Sequence, residues 1–452
     1  MFKKVLIANR GEIARRVIRT CKRLTIQTVA VYSEADANAL HVREADEAYC
    51  IGKSPVAHSY LNIERILEVA RESHAEAIHP GYGLLSENAD FARRCTEAGL
   101  VFIGPSADVI ASMGSKLEAR KTMKAAGIPI IEGVEAPVKD AAEAIEIASR
   151  MGYPIMLKAS AGGGGIGMQL VEDDEALEKA FEGNQKRALS FFGDGTMYME
   201  RFIANPHHVE VQILADHEGN VIPLFERECS IQRRNQKVVE EAPSPFISEE
   251  TRKRMLDASV QAAKHIGYVN AGTIEYLVDA NQQFYFLEMN TRLQVEHPVT
   301  EEITKLDLVE AQLKVAAKQP LAFTRDSITK QGHAIEVRIY AENPTTFFPS
   351  PGTITDLELP VGEGIRHECG VEKGSTVTPF YDPMISKLVV WGETRKVACE
   401  RLAQALSNYK IEGIQTNIPM LLKTITHEQF LKGNTTTKFV DEYYLPQLTQ
   451  TK

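Results

Sequence analysis

The spacing of apolar residues changes period repeatedly along the chain, and each change restricts the fold. Lys3 to Asn9 forms a short apolar strand pattern, Arg10-Gly11-Glu12 makes a turn, and Ile13 to Arg23 repeats with helical spacing. A second strand, Thr28 to Tyr32, follows, and further strand–helix alternations run through Ala77-Ile78 and Leu100 to Ile103. Such alternation predicts a doubly wound, parallel α/β domain over residues 1–113. Its first turn lacks G-x-G-x-x-G, so it carries no dinucleotide signature. Ser115 to Ala126 reads as a helix ending at Gly127, and Pro129 opens a smaller α/β unit. That unit has a helix over Ala141 to Arg150, a strand Pro154 to Ala159 and a helix over Glu175 to Lys186. Beyond Phe202 the strands lengthen and alternate (Val209 to Ala215, Thr273 to Val278, Phe284 to Met289), which is the pattern of antiparallel sheet. A last strand-rich unit begins near Gly332. A length of 452 residues suits several cores rather than one.

Charge and composition narrow the class. The net charge of −10 argues against nucleic acid as the main partner, so an anionic substrate needs a local basic cluster. No apolar run approaches the ~18 residues of a membrane span. Only Val5 to Ala8 is apolar behind Met1-Phe2-Lys3-Lys4, too little for a secretion signal. The six cysteines are scattered without a C-x-x-C pair, as expected of reduced thiols in a cytoplasmic protein.

Several segments carry chemistry. Lys158-Ala159-Ser160-Ala161 leads into Gly162-Gly163-Gly164-Gly165-Ile166-Gly167. Four consecutive glycines suit a backbone that approaches phosphate oxygens closely, with Lys158 reaching the same group; a flexible surface loop is the plainer reading. The segment Thr273 to Asn290 predicts a hairpin. With its turn near Asn281-Gln282, Val278 faces Tyr285, Leu277 faces Phe286, and Glu275 faces Glu288. Opposed like charges are destabilising, and a divalent cation between them removes the problem. Asn290, on the same face as Glu288, adds a third oxygen. Solvated carboxylates are the alternative. Arg292 and Glu296 follow at once and suggest an oxyanion site with a base beside it, or else an i,i+4 surface ion pair. Lys237, in a basic cluster with Arg233 and Arg234, and Arg338, in the strand Ala334 to Tyr340, fit the same anion. His207-His208 point to opposite faces of a strand, so one of them is a phosphate or ribose contact rather than half of a metal chelate.

Together these stretches resemble biotin carboxylase, within the ATP-grasp superfamily. The resemblance lies in "KVLIANR" and "GEIA" from Lys4, "HPGYGLLSENA" from His79, "KASAGGGGIGM" from Lys158, "QRRNQKVVEEAPSP" from Gln232, "EMNTRLQVEHPVTE" from Glu288 and "EVRIYAENP" from Glu336, in order along the chain. It implies an α/β and α+β multidomain fold: a Rossmann-like pre-ATP-grasp domain (1–113), an ATP-grasp domain (114–330) with a mobile glycine-rich lid over about 130–203, and a C-terminal biotin carboxylase domain (331–446). It places Lys116, Lys158, Gly164, Gly165, Glu200, Arg201, Phe202, Ile203, His208 and Asn235 at nucleotide positions. Glu275, Glu288 and Asn290 fall at positions for Mg²⁺ (or Mn²⁺), and Lys237, Arg292, Val295 and Arg338 at bicarbonate positions, with Arg338 also beside biotin. Glu296 falls at the position of the base. Asn235, Arg201 and Ile166 stand where His, Lys and Arg are usual. The implied reaction is ATP- and bicarbonate-dependent carboxylation of biotin through carboxyphosphate. The only Met-Lys dipeptide is Met123-Lys124, in a helical stretch, so biotin arrives as substrate on a separate carrier protein. A homodimer working with carboxyltransferase subunits, in acetyl-CoA carboxylase first, is the expected setting. Other acyl-CoA or pyruvate carboxylases, another ATP-grasp ligase, and a silent ATP-binding scaffold are the competing readings.

Overall fold

A computed structural model describes residues 1–161 and 167–449. The first unit is a five-stranded parallel sheet of β1 (Lys4–Ile7), β2 (Gln27–Ser33), β3 (Glu47–Gly52), β4 (Ala77–His79) and β5 (Val101–Phe102). Its order is β3-β2-β1-β4-β5, with Val5 beside both Thr28 and Ala77. The parallel α/β expectation is met. Helix α1 spans Gly11–Arg23, so Gly11 and Glu12 form its first turn rather than a separate one. Strand β3 escaped the periodicity because it is an edge strand, mostly half-buried, without regular alternation.

Helix α2 (Lys116–Ala125), capped by the Ser115 side chain, leads into the second unit. There β6 (Ile155–Ala159), β7 (Gln169–Val171) and β8 (Met197–Arg201) form a three-stranded antiparallel sheet with β6 central, covered by α3 (Asp174–Phe192). The glycine run connects β6 to β7. Gly162 to Ile166, including the expected phosphate contacts Gly164 and Gly165 and the departure at Ile166, lie outside the described residues. Gly167 has φ +77°, and a Cβ there would lie 2.7 Å from the Ala159 Cβ, so this end of the run requires glycine.

The largest sheet is antiparallel throughout. Its strands are β9 (His207–Ala215), β10 (Val221–Arg233), β11 (Gln236–Ala242), β12 (Asn270–Val278), β13 (Phe284–Asn290), β14 (His333–Tyr340), β15 (Ile365–Cys369) and β16 (Met384–Gly392). They run β13-β12-β9-β10-β11-β14-β16-β15. Val239 of β11 pairs with Val337 of β14, so one sheet continues across the boundary expected near residue 330. Helix α4 (His297–Thr304) packs on this sheet, and α5 (Arg395–Ser407) on its C-terminal strands.

Strand β9 shows how the sheet makes a site. All its residues are buried, yet its chemistry alternates. Val209, Val211 and Ile213 join an apolar core, while His208, Glu210 and Gln212 face the other side. Neighbouring strands add Arg227 opposite Glu210, Glu275 opposite Glu210 and Thr273 opposite Gln212, so the second face is polar and buried at once.

Candidate active site

A cavity of about 440 Å³ lies between this polar face, the three-stranded sheet and α2. The described residues that the resemblance places at nucleotide, metal, bicarbonate and base positions all line it: Lys116, Lys158, Glu200, Arg201, Phe202, Ile203, His208, Asn235, Lys237, Glu275, Glu288, Asn290, Arg292, Val295, Glu296 and Arg338.

The β12–β13 hairpin supplies the opposed carboxylates by a different route from the expected one. Its loop is one residue tighter, closed by the Asp279 N–H to the Gln283 carbonyl at 2.9 Å, with Gln282 at φ +63°. Val278 therefore pairs with Phe284 and Leu277 with Tyr285, not with Tyr285 and Phe286. The register shifts between Glu275 and Tyr276, leaving Leu287 as an extra residue, and Glu275 then faces Glu288 as expected. Without this bulge Glu288 would sit opposite Ile274, pointing away from the cavity. The Glu288 Oε2 lies 3.1 Å from Lys116 Nζ. Glu275 accepts from Asn290 Nδ2 at 2.8 Å and Gln294 Nε2 at 2.7 Å, and pairs with His208 Nε2 at 2.8 Å. Hard oxygen donors on a rigid hairpin, too few to fill an octahedron, fit a Mg²⁺ that shares its remaining positions with phosphate oxygens. His208, Glu210 and Glu275 also cluster closely enough to hold an ion. Lys237 already bonds both carboxylates, so a cation occupies that point.

Lys237 is the hub of the site. Its ammonium lies 2.5 Å from Glu210, 2.7 Å from Glu275 and 2.8 Å from Glu296. Burial opposes its charge, but the three carboxylates outweigh burial and raise its pKa far above the usual lysine value. The second oxygen of Glu296 accepts from Arg338 Nη2 at 3.0 Å, and Arg338 Nε donates to Glu240 at 2.6 Å. Burial likewise disfavours the Glu296 carboxylate, yet Lys237, Arg338 and Arg227 overcome it and hold its pKa well below the carboxylate range. The continuous sheet makes this possible, because it sets Lys237 on β11 next to Arg338 on β14.

Arg292 and Glu296 are not an ion pair. The segment after β13 turns Arg292 to Glu87 of the first unit, at 2.7 Å, and to Asn290 Oδ1, at 2.7 Å. On the opposite wall, Met156 of β6 pairs with Glu200 of β8, which puts Lys158 on the same face as Glu200. The Glu200 carboxylate is gripped there by Lys158 and Arg120. Arg201 is half-exposed, 3.3 Å from Glu132. The basic cluster does not act as one patch. Arg233 pairs with Glu342 and lies over Tyr340 and Phe347, while Arg234 and Asn235, both at positive φ, form the two-residue β10–β11 turn. Of the two histidines, His208 reaches the cavity and His207 stacks on Phe246 at 3.4 Å.

Sequence reasoning missed the residues behind the cavity wall. Arg227, wholly buried, donates to Glu210, Gln212, Thr273, Gln294 and Thr300. Glu210, Glu240, Gln294, Arg120 and Glu87 also carried no signal of their own. The signal for Arg227 was a charge triplet, Glu226-Arg227-Glu228, which reads equally as a solvated strand.

The N-terminal domain model of biotin carboxylase matches residues 1–110, the ATP-binding domain model of the carbamoyl-phosphate synthase L chain matches 115–324, and the C-terminal domain model of biotin carboxylase matches 336–442. Biotin carboxylase 2 of Bacillus subtilis is 62% identical over 98% of this chain and 100% of its own length. A pyruvate carboxylase subunit of Methanothermobacter thermautotrophicus is 54% identical over 98% of this chain and 90% of its own. The biotin carboxylase domain dimer of Hydrogenobacter thermophilus 2-oxoglutarate carboxylase, solved with MgADP, ADP and bicarbonate, superimposes with a TM-score of 0.96 at 50% identity, covering 98% of both chains. No helix among the described residues is long and apolar enough to cross a membrane. On these grounds the chain belongs to the biotin carboxylase family, a family of ATP-dependent carboxylating ligases.

Proposed function

We propose that this chain carboxylates biotin borne on a separate carrier protein, using ATP, Mg²⁺ and bicarbonate. The observation that carries the reading is the arrangement of Glu296 between Lys237 and Arg338, a carboxylate base held beside two cations at the cavity floor. Lys237, Arg292 and Arg338 bind bicarbonate, with Val295 beside it, and Glu296 takes its proton. An anion seated there draws Lys237 and Arg338 partly off Glu296, which raises the basicity of that carboxylate when it is needed. The bicarbonate oxygen attacks the γ-phosphorus of ATP, giving carboxyphosphate and ADP. Lys116, Lys158, Glu200, Arg201, Phe202, Ile203, His208 and Asn235 hold the nucleotide, with Gly164 and Gly165 closing over its phosphates. Glu275, Glu288 and Asn290 would hold Mg²⁺, which when bound neutralises charge on the phosphates. Carboxyphosphate yields CO₂ and phosphate, phosphate removes the ureido proton of biotin, and Arg338 stabilises the resulting oxyanion.

The acceptor is proposed to be acetyl-CoA, in a cytoplasmic complex in which this chain, as a homodimer, serves carboxyltransferase subunits. Relatives bearing the names of pyruvate and 2-oxoglutarate carboxylases keep a keto-acid acceptor as the second reading. The functional division at 1–113, 114–330 and 331–446 is part of the same proposal. The test measures ADP release and carboxybiotin formation in parallel with free biotin. Glu296→Gln is expected to lower both together. Arg338→Gln is expected to lower carboxybiotin more than ADP release. Equal losses in Arg338→Gln would leave that residue as a bicarbonate ligand only, and ATP cleavage indifferent to biotin and bicarbonate in the unaltered protein would overturn the function.

A further inference from the structure

Behind Arg338 lies a group of buried acids with no direct place in the chemistry above. Glu240 of β11 and Glu336 of β14 are directly opposed across the strand pair, and both are wholly buried. Directly opposed residues have Cβ atoms roughly 5 Å apart, on the same side of the sheet. One Glu240 oxygen accepts from Arg338 Nε at 2.6 Å, while its other oxygen and both oxygens of Glu336 meet no donor among the described residues. The surroundings do not balance them. The nearby buried cations already have partners: Lys237 serves Glu210, Glu275 and Glu296, and Arg227 serves Glu210. Lys387 bonds the Val295 carbonyl at 2.7 Å and lies 3.3 Å from Glu12, which is also bonded by Tyr82. Two ionised carboxylates facing each other in such a place, with Arg338 on one oxygen of Glu240 and no donor on the other three, would repel strongly and forfeit hydration.

We propose that Glu240 and Glu336 share one proton across the strand pair, and that the pair makes Glu240 a positioning residue for Arg338, holding its guanidinium turned toward Glu296. A shared proton gives the facing oxygens a hydrogen bond and leaves a single negative charge behind Arg338. Burial moves both carboxyls in the matching direction, toward the protonated form, against the pull of Lys387 on Glu336 and of Arg338 on Glu240. The inference deepens the reading of Arg338 given above and rests on it for its functional consequence. If pH rises until the pair loses its proton, a second negative charge appears behind Arg338. The guanidinium is then held back from an anion in the cavity, and kcat/KM for bicarbonate falls.

Infrared spectroscopy at neutral pH reads the proton directly, because a carboxylic acid C=O band is distinct from carboxylate bands. The unaltered protein is expected to show an acid band that is lost in Glu336→Gln and lost or shifted in Glu240→Gln. Glu336→Gln, which fixes a neutral partner for Glu240, is expected to flatten the alkaline limb of the kcat/KM profile. An acid band of equal size and position in all three proteins overturns the proposal. So does the absence of any acid band from the unaltered protein, a result that stands even if a variant fails to fold. A lost band with an unchanged pH profile would keep the shared proton but overturn its link to Arg338, and that failure is separable from failure of the proposed function.

Discussion

Two charged residues, each with one ionic partner, serve opposite ends in this site. Arg227 spends its donors on five protein groups and has no face on the cavity. Its removal leaves Glu210 buried and partly uncompensated. Arg227→Met is therefore expected to cost about 3–5 kcal/mol, read from urea unfolding midpoints, since breaking one side of a buried pair leaves a bare charge. Glu288 is half-buried, faces the cavity and pairs with Lys116 at 3.1 Å. Glu288→Gln is expected to change stability by no more than about 0.5 kcal/mol. It is expected to raise the Mg²⁺ needed for half-maximal ATP turnover by roughly 10–100-fold, the range that losing mere supporting contacts of a metal already spans. Unchanged Mg²⁺ dependence would remove Glu288 from the metal site. Residues of the second kind were legible in the sequence because their types and spacing carry the chemistry. Residues of the first kind were not, because a buried arginine and a solvated one look alike until the strands beside them are known.

At the scale of elements, the sequence marked the β12–β13 hairpin but not how it reaches its geometry. Hydrophobic alternation and the two glutamates suggested which residues oppose each other. The tight loop and the Leu287 bulge are a pair of compensating one-residue changes, and compensation of that sort leaves the Glu275–Glu288 pairing unchanged. The β10–β11 hairpin was not visible at all. Its buried positions include Glu226, Arg227, Glu228, Arg233, Glu240 and Glu241, so apolar alternation is absent although the strands are central. The bulge yields a test. An alanine inserted between Leu287 and Glu288 takes the place opposite Glu275, moves Glu288 opposite Ile274 and turns Glu288 and Asn290 away from the cavity. Secondary structure by circular dichroism is expected to persist, while Mg²⁺-dependent nucleotide binding falls on the order of 100-fold, as expected when reacting groups are displaced by an ångström or more. Binding retained within a few-fold would show that the register at Glu275 does not aim these residues.

For the whole molecule, the joints between units are buried ion pairs, and this fixes its response to acid. Glu241 of β11 bonds His333 at the start of β14 and Arg395 of α5, each at 2.6 Å. Glu368 of β15 bonds Arg19 of α1, at 2.5 Å, and Arg366. Burial works against both carboxylates, but their cations prevail: Glu241 falls from the ordinary 4.5 to about 2 through Arg395 and His333, and Glu368 to about 2 through Arg366 and Arg19. Burial also lowers His41 and His79 from 6.5 to about 4. The signs agree. Between pH 6.5 and about 4 the unfolded chain protonates histidines that the fold keeps neutral, and between 4.5 and about 2 it protonates glutamates that the fold keeps ionised. In both windows the unfolded state binds more protons, so stability falls as pH falls. Each carboxylate contributes on the order of 3 kcal/mol at neutral pH by this linkage, a contribution lost progressively below pH 4.5. Urea midpoints are expected to peak near pH 7, because the fold alone holds the proton proposed for Glu240 and Glu336 and loses that stabilisation as alkali removes it, to decline from about pH 6.5 on the acid side and to drop more steeply below 4.5. Glu241→Gln is expected to lower the neutral midpoint and to flatten the slope below pH 4.5, because its side chain has no proton to gain. A slope identical to that of the unaltered protein would mean that Glu241 titrates alike in the folded and unfolded chain, and that the joint between β11, β14 and α5 is not held by its charge.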